Sequence, residues 1–124
     1  MNRVVITGCG TINSLGQNVS ETLHAMREGY CGIGQLDFKD VDRLSIQIGG
    51  QVHDFEPEKV FNRQQLSLYD RFTQFTLLAA REALSQSGLI FVGELADKAG
   101  VVFGTAGGGS SKISLPAAPP NARV

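Results

Sequence analysis

Few residues of this 124-residue chain could act as a catalytic nucleophile or base. Cys9 follows a β-branched run, where nucleophiles often sit, and an imidazole partner could come only from His24 or His53. The competing interpretation makes Cys9 a small buried residue, His24 a solvated helix residue and His53 half of a surface pair with Asp54. These residues lack the spacing of metal ligands, so no metal or other cofactor is expected.

Two glycine-rich turns follow β-branched runs and could approach a ligand closely. Gly8-x-Gly10 has the start of a dinucleotide-binding pattern, but Asn13 replaces the third glycine and the next helix is predicted to begin several residues later. The turn at 104–109 could bind an anion through backbone N–H groups, although it lacks the Gly-Lys-Ser/Thr ending of a P-loop. A plain turn, a nucleotide site and a substrate passage therefore all remain open.

Residues 67–89 are predicted to form the helix on which the other elements pack. Apolar side chains recur there every three or four residues and give one broad helical face: Leu68, Phe72, Phe75, Ala79 and Ala83, widened by Leu78, Ala80 and Leu84. Ser67 is predicted to cap its start and Gly88 to end it. Five polar residues are predicted to face water: Arg71, Gln74, Arg81, Glu82 and Gln86.

Three short apolar segments, 4–7, 44–48 and 99–103, are predicted to be strands. A helix begun by Asn18 with Glu21 and ended by Gly29 is predicted between the first two strands, and 31–43 is predicted to be a loop. The order β-α-β-α-β predicts a layered α/β fold with a mainly parallel sheet. Three of the four prolines lie in 110–124, so the predicted domains are 1–109 and an irregular tail, 110–124.

The charge balance and the cysteine count restrict the classes of function. Eleven basic and twelve acidic residues give a net charge of −1, with no like-charge run that would favour nucleic acid or a membrane surface. No apolar stretch approaches the ~20 residues needed to span a bilayer. Two cysteines do not make a disulfide framework, so a cytoplasmic protein is expected.

Six motifs, in order and with compatible spacing, closely resemble β-ketoacyl-acyl carrier protein synthases. They are Arg3-Val4-Val5-Ile6-Thr7-Gly8-x-Gly10, Ser14-Leu15-Gly16, Glu28-Gly29-Tyr30-Cys31-Gly32-Ile33, Asp70-Arg71-Phe72-x-x-Phe75, Ala79-Ala80-Arg81-Glu82-Ala83-Leu84 and Gly100-Val101-Val102-x-Gly104-Thr105. The resemblance implies a thiolase-like fold of two similar α/β halves, usually in a homodimer. It also implies a decarboxylating condensation of acyl and malonyl thioesters, with a cysteine nucleophile and two histidines.

The resemblance places the family's nucleophile beyond the third predicted strand and both histidines later still. Neither Cys9 nor Cys31 stands at the nucleophile's position, and neither His24 nor His53 matches a family histidine. The chain is similar to the first quarter to third of a synthase. The sequence therefore predicts a truncated synthase that is inactive alone, with no catalytic residue of its own.

Two positions carry a function over from the family. Gly107 falls where some members place a bulky residue at the acyl pocket, so a substrate-binding role with a less obstructed pocket is expected. Arg63 is the basic residue that remains in the segment that grips the acidic acyl carrier protein. Acyl carrier protein and a homodimer partner are the partners expected of the complete enzyme.

Two alternatives belong to other classes of protein. The chain could be a non-catalytic assembly module that pairs with a separate chain carrying the missing layers, or a small nucleotide-binding enzyme. Missing layers would leave apolar sheet surface exposed, so marginal stability or self-association is also expected.

Overall fold

The computed structural model describes residues 3–105, and most of the regular secondary structure in that range is helical. The helices are α1 (Val19–Arg27), α2 (Arg63–Leu68), α3 (Arg71–Ser87) and α4 (Glu94–Asp97), with 3₁₀ turns at Val41–Arg43 and Pro57–Lys59. Two short strands, β1 (Gly34–Gln35) and β2 (Ile48–Gly49), pair antiparallel with Gly34 opposite Gly49.

The central helix is present but begins later than predicted. Its N-cap is Asp70, whose carboxylate accepts a hydrogen bond from the Thr73 N–H at 2.8 Å. The predicted cap, Ser67, is wrong because it lies inside α2, and the extended backbone of Tyr69 separates α2 from α3. Gly88 ends α3 with φ +65°, the left-handed conformation predicted for it.

The first helix is confirmed with its predicted signals. The Asn18 side chain accepts a hydrogen bond from the Glu21 N–H at 2.9 Å, and the Glu21 carboxylate accepts from the Asn18 amide group at 2.7 Å and from the Gln17 N–H at 2.8 Å. Gly29 follows the helix with φ +72°. Short-range hydrogen bonds therefore define this end of α1.

The predicted β-α-β-α-β order is not found among residues 3–105, because two of its three strands have no ladder there. Segments 4–7 and 99–103 are neither helix nor strand, and no backbone hydrogen bond joins 4–7 or 101–104 to another described residue. A strand is defined by backbone hydrogen bonds to a neighbouring strand, and the sequence pattern of one segment does not show whether that neighbour is present. Of the predicted strand 44–48 only Ile48 lies in β2, and its antiparallel partner β1 falls inside the predicted loop 31–43.

The glycine turn of the N-terminal segment lies directly against the backbone of α3. A Cβ atom added at Gly8 would collide with the carbonyl oxygen of Ala83, and one added at Gly10 with that of Ala79. The small alanine side chains on α3 leave room for this contact. The close backbone approach suggested by the two glycines is therefore confirmed, with α3 as the neighbour.

The core of the described residues is small. Ala25 and Phe61 are its buried apolar residues, while Leu68, Phe72 and Leu84 of the predicted helical face are exposed. Gln74 was predicted to face water, and this is wrong: it is buried, and its side-chain NH₂ donates to the Tyr69 carbonyl at 3.0 Å. That hydrogen bond makes its burial tolerable.

The loop before α2 is held to α3 by an arginine. The Arg71 guanidinium lies 5.4 Å from the ring centre of Phe55 and 5.1 Å from that of Phe75, and it donates to the Val52 carbonyl at 2.9 Å. The two rings also meet edge to face, with centroids 5.1 Å apart. These contacts fix the loop without burying the arginine.

Candidate functional site

An apolar cleft of about 420 Å³ lies between the first glycine turn and α3. Its walls are Gly10, Thr11 and Ile12 from the turn, Phe75, Thr76, Ala79, Ala80 and Ala83 from α3, and Phe103 from the last predicted strand. Among the described residues its walls carry no ionisable side chain, and the hydroxyl groups of Thr11 and Thr76 have no base beside them in that lining. It is a place for apolar groups to pack, and no bond-breaking chemistry follows from its walls.

Glu82 holds this region together. One carboxylate oxygen accepts from the Thr11 N–H at 2.9 Å and the other accepts from the Val19 N–H at 2.8 Å. The first N–H of α1 is thereby bonded to α3, and the glycine turn is bonded to the same side chain. Glu82 was predicted to face water, and its part-buried position shows that prediction to be wrong.

The Glu82 contact also argues against the dinucleotide interpretation. A pyrophosphate needs the free N–H groups at the start of the helix that follows the glycine turn. That helix begins only at Val19, and its first N–H already donates to the Glu82 carboxylate. A negative carboxylate at this place would repel a phosphate group.

The candidate thiol–imidazole pair is not assembled among residues 3–105. Cys9 is exposed, which contradicts its interpretation as a buried residue, and its N–H donates to the Gln86 side-chain oxygen at 2.6 Å. His24 is exposed in the last turn of α1. His53 is exposed in a loop, where its backbone carbonyl accepts a hydrogen bond from the Gln17 side chain at 3.3 Å. No hydrogen bond between described residues joins a cysteine to a histidine.

A second, more polar cavity of about 210 Å³ lies beside His53 and Asp54, with residues 13–17 and Glu21 as its other walls. Glu21, His53 and Asp54 all line it, but no group of three His, Cys, Asp or Glu side chains in the described part of the chain could hold a metal ion. The cavity has polar walls but no assembled ligand set.

The family is decided by the comparison with known sequences. The family described as "Beta-ketoacyl synthase, N-terminal domain" matches residues 1–123. This chain belongs to the β-ketoacyl synthase family. The resemblance predicted from the sequence motifs is thereby confirmed, and the family implies a thiolase-like α/β fold.

Three relatives show how much of a synthase the chain represents, and all three bear the name 3-oxoacyl-[acyl-carrier-protein] synthase 2. The chain is 33% identical to the Synechocystis sp. protein over 107 residues, which cover 86% of this chain and 26% of that protein. It is 34% identical to the Staphylococcus aureus (strain N315) protein over 113 residues, 91% of this chain and 27% of that protein. It is 36% identical to the Coxiella burnetii protein over 107 residues, 86% of this chain and 26% of that protein.

The chain therefore spans about a quarter of the length of these synthases. The family match continues to residue 123, past the boundary predicted at 109. The division into 1–109 and 110–124 stays a prediction.

Arg63, the predicted carrier-docking residue of this synthase-family chain, is the first residue of α2. Asn62 caps the helix by accepting from the Gln65 N–H at 2.9 Å, while the Gln65 side chain accepts from the Asn62 N–H at 3.0 Å. Arg63 is exposed and forms no ion pair with a described residue. The capping box fixes the backbone beneath a free cationic side chain.

Gly107, the predicted acyl-pocket residue, lies outside the described residues, and its role stays a prediction. Three residues earlier, Gly104 has no heavy atom of a described residue within 4 Å of the position that a Cβ atom would take. None of the helices described is long and apolar enough to cross a membrane.

The sequence reasoning missed Glu82 and Gln86 as tethers of the N-terminal turn. A signal was available: a glycine turn pressed against a helix has backbone N–H groups that need acceptors. Glu82 and Gln86 are polar residues of α3 beside Ala79 and Ala83, so they stand where those acceptors are required.

Proposed function

We propose that the chain is the N-terminal part of a truncated β-ketoacyl-acyl carrier protein synthase of fatty acid or polyketide biosynthesis, and that it is catalytically inactive alone. The match of the N-terminal family domain to residues 1–123 carries this proposal. The unassembled cysteine and histidines among residues 3–105 support the second half of it.

The complete family enzyme condenses an acyl thioester with malonyl-carrier protein. Its cysteine takes the acyl chain as a thioester, backbone N–H groups hold the oxyanion, and two histidines assist decarboxylation. Cys9 lacks what such a nucleophile needs, because no imidazole bonds to its thiol among the described residues. The contribution of this chain is structural: α3 and Glu82 hold the first glycine turn beside the cleft.

A condensation assay on the purified chain tests the proposal. With acyl- and malonyl-carrier protein as substrates, we expect no ketoacyl product above the no-protein background. Cys9→Ala and Cys31→Ala should leave that background unchanged. Product formation by the unaltered chain that Cys9→Ala abolishes would make the chain a complete catalyst and would overturn the proposal.

Acyl carrier protein is the proposed partner of the complete enzyme, and Arg63 is its proposed contact. An exposed guanidinium on a capped helix suits an acidic partner, and a single rim charge mainly changes the association rate. Arg63→Glu in the complete enzyme should raise KM for the carrier substrate and leave kcat little changed. Arg27→Glu, at the end of α1, is the matched control. Equal effects of the two substitutions would remove Arg63 from the interface.

Gly107 is proposed to border the acyl pocket, where its lack of a side chain leaves room for the chain of the substrate. The substitution Gly107→Met in the complete enzyme should shift preference toward shorter acyl chains. An unchanged preference would remove Gly107 from the pocket.

The proposal includes a homodimer and a cytoplasmic location for the complete enzyme.

A non-catalytic assembly module is the second candidate function. The apolar side chains of 4–6 and 101–103, all of them more than half exposed in the described part of the chain, favour it. Co-purification of the chain with a separate polypeptide that carries the missing layers, in the absence of condensation activity by the complex, would support the module over the truncated enzyme.

A further inference from the structure

The first glycine turn contacts α3 with a regular spacing. A Cβ atom added at Gly8 would collide with the carbonyl oxygen of Ala83, and one added at Gly10 with that of Ala79. The Cα–H group of each glycine therefore points at a helix carbonyl oxygen, which is the geometry of a Cα–H···O contact. The two glycines are two residues apart in the turn, and the two alanines are about one helical turn apart in α3.

The residues that alternate with the glycines contact α3 with the same spacing. The Cys9 N–H donates to the Gln86 side-chain oxygen at 2.6 Å, and the Thr11 N–H donates to the Glu82 carboxylate at 2.9 Å. These two acceptors also lie four residues apart in α3. Two residues of extended chain span about 6.6 Å and four residues of α-helix rise about 6 Å, so the two repeats nearly match over this length.

This matched contact ends where the side chains become large. Ile12 and Phe75 are the next residues of the glycine and alanine series, and both line the apolar cleft beside α3. The next N–H of the alternation, that of Asn13, would lie opposite Leu78, whose side chain offers no acceptor. It donates instead to the Gly16 carbonyl at 2.9 Å. The matched contact is therefore confined to residues 8–11.

A shift of the turn along α3 is sterically excluded. A shift by one residue in either direction would place the Cβ atom of Cys9 against a helix carbonyl oxygen, and a shift by two residues would place that of Ile6 or Ile12 there. The glycines meet backbone atoms, which cannot rotate away as the end of a flexible side chain can. One alignment alone places a residue without a Cβ atom at both contacts.

We propose that α3 fixes the register of the N-terminal segment, meaning its alignment with the residues of the helix, by recognising the main chain alone at two residues per helical turn. Gly8 and Gly10 supply the close approach, Gln86 and Glu82 supply the acceptors, and the exposed side chain of Cys9 takes no part. The ligand class that this face of α3 accepts is an extended backbone with glycine at alternate positions. Residues 10–12, which form one wall of the cleft, take their position from this register.

Amide hydrogen exchange in the full 124-residue chain tests the acceptors, with protection factors to correct for the intrinsic exchange rate of each residue type. Gln86→Met removes one acceptor, and Gln64→Met, at an exposed glutamine of α2, is its matched control. We expect Gln86→Met to lower the protection factor of the Cys9 amide about fivefold. The protection factor of the Thr11 amide should change much less, because Glu82 still bonds it. The control should change neither amide.

Substitutions in the turn separate main-chain from side-chain recognition. Cys9→Val changes an exposed side chain and keeps the N–H group, so the amides of residues 9 and 11 should keep their protection factors within about twofold. Gly8→Ala places a methyl group on the Ala83 carbonyl, so both amides should lose protection at least about tenfold. This contrast is what recognition of the main chain requires.

Nuclear Overhauser contacts report the register directly. The Cβ position of Gly10 lies 2.9 Å from the Ala83 nitrogen, and that of Gly8 lies 3.0 Å from the Ser87 nitrogen. We therefore expect contacts between the Cα protons of each glycine and the corresponding helix amide. A contact of Gly10 with the Ser87 amide in place of the Ala83 amide would show a register shifted by one helical turn and would overturn the inference.

Two exchange results would overturn it as well. One is a lack of protection of the Cys9 and Thr11 amides in the unaltered chain. The other is an equal loss of protection in Cys9→Val and Gln86→Met, which would mean that the side chain of residue 9 contributes to the recognition. If Gly8→Ala unfolds the chain, these two variants still decide, because neither adds an atom at the glycine contacts.

Discussion

The glycine turn (residues 8–12) and two apolar segments, 4–6 and 101–103, here called the strand runs, differ in the hydrogen bonds that their backbones form. Residues 8–12 lie on α3, with backbone N–H groups of Cys9 and Thr11 bonded to Gln86 and Glu82. Residues 4–6 and 101–103 have apolar side chains in water and no backbone partner among the described residues. The backbone N–H groups of Cys9 and Thr11 in the turn are paired within the described residues, whereas the strand runs form no backbone pair there.

The difference shows which interactions a short chain can satisfy by itself. A cap or a carboxylate tether needs a few atoms at one place, and α3 supplies them. A strand needs a whole neighbouring strand on each paired side, which is a non-local requirement. Substitutions in the turn should therefore destabilise the isolated chain, while substitutions in the runs should not.

Gly10→Ala should have the largest effect on stability. The added methyl group would meet the carbonyl oxygen of Ala79, and backbone atoms cannot rotate away from it. We expect a loss of about 3 kcal/mol in the free energy of unfolding, measured by urea titration, as for a severe overpacking. Gly100→Ala is the control because open space surrounds its Cβ position. Equal stability of the two variants would mean that the turn does not rest on α3.

Glu82→Ala should have the next largest effect. It removes the acceptor of two backbone N–H groups, at Thr11 and Val19. We expect a loss of about 2 kcal/mol, since hydrogen bonds to a charged group are the stronger kind. Hydrogen exchange at those two amides should accelerate. Glu82→Gln, which keeps one acceptor oxygen, should lose an amount of stability between those of the unaltered chain and Glu82→Ala. Glu28→Ala is the control at an exposed glutamate. Unchanged exchange of the Thr11 and Val19 amides in Glu82→Ala would contradict the role of Glu82.

Asn18→Ala should weaken α1 by a smaller amount. The side chain of Asn18 accepts from the Glu21 N–H at 2.9 Å, and an N-cap of this kind contributes about 1 kcal/mol. The loss should appear in urea unfolding and in faster exchange of the first-turn amides. Asn18→Ser retains a capping oxygen and should lose little. Similar losses for alanine and serine would show that the cap is not what holds the helix start.

The same contrast explains how much the sequence predicted. Asn18, Gly29 and Gly88 act on residues within one turn of themselves, so sequence spacing was enough to find the ends of α1 and the end of α3. The family could also be predicted, because its motifs are recognised from the order and spacing of residues in the sequence. The roles of Glu82 and Gln74 depend on contacts with distant segments or on where α2 stops, which no periodicity encodes. Segments 4–7 and 99–103 form no ladder among residues 3–105, because a β-branched pattern specifies the preference of the side chains and not the presence of a neighbouring strand.

Val102→Thr should have the smallest effect and gives the sharpest test of the comparison. Replacing a methyl by a hydroxyl on a side chain already 96% exposed removes almost no apolar contact, so we expect a change within about 0.5 kcal/mol in urea unfolding at low protein concentration. A loss above about 1 kcal/mol would mean that Val102 is buried in solution. Repeating the urea titration at higher protein concentration then shows whether a second copy or the same chain buries the Val102 side chain. A midpoint that rises with concentration assigns it to a second copy, and a constant midpoint assigns it to the chain itself.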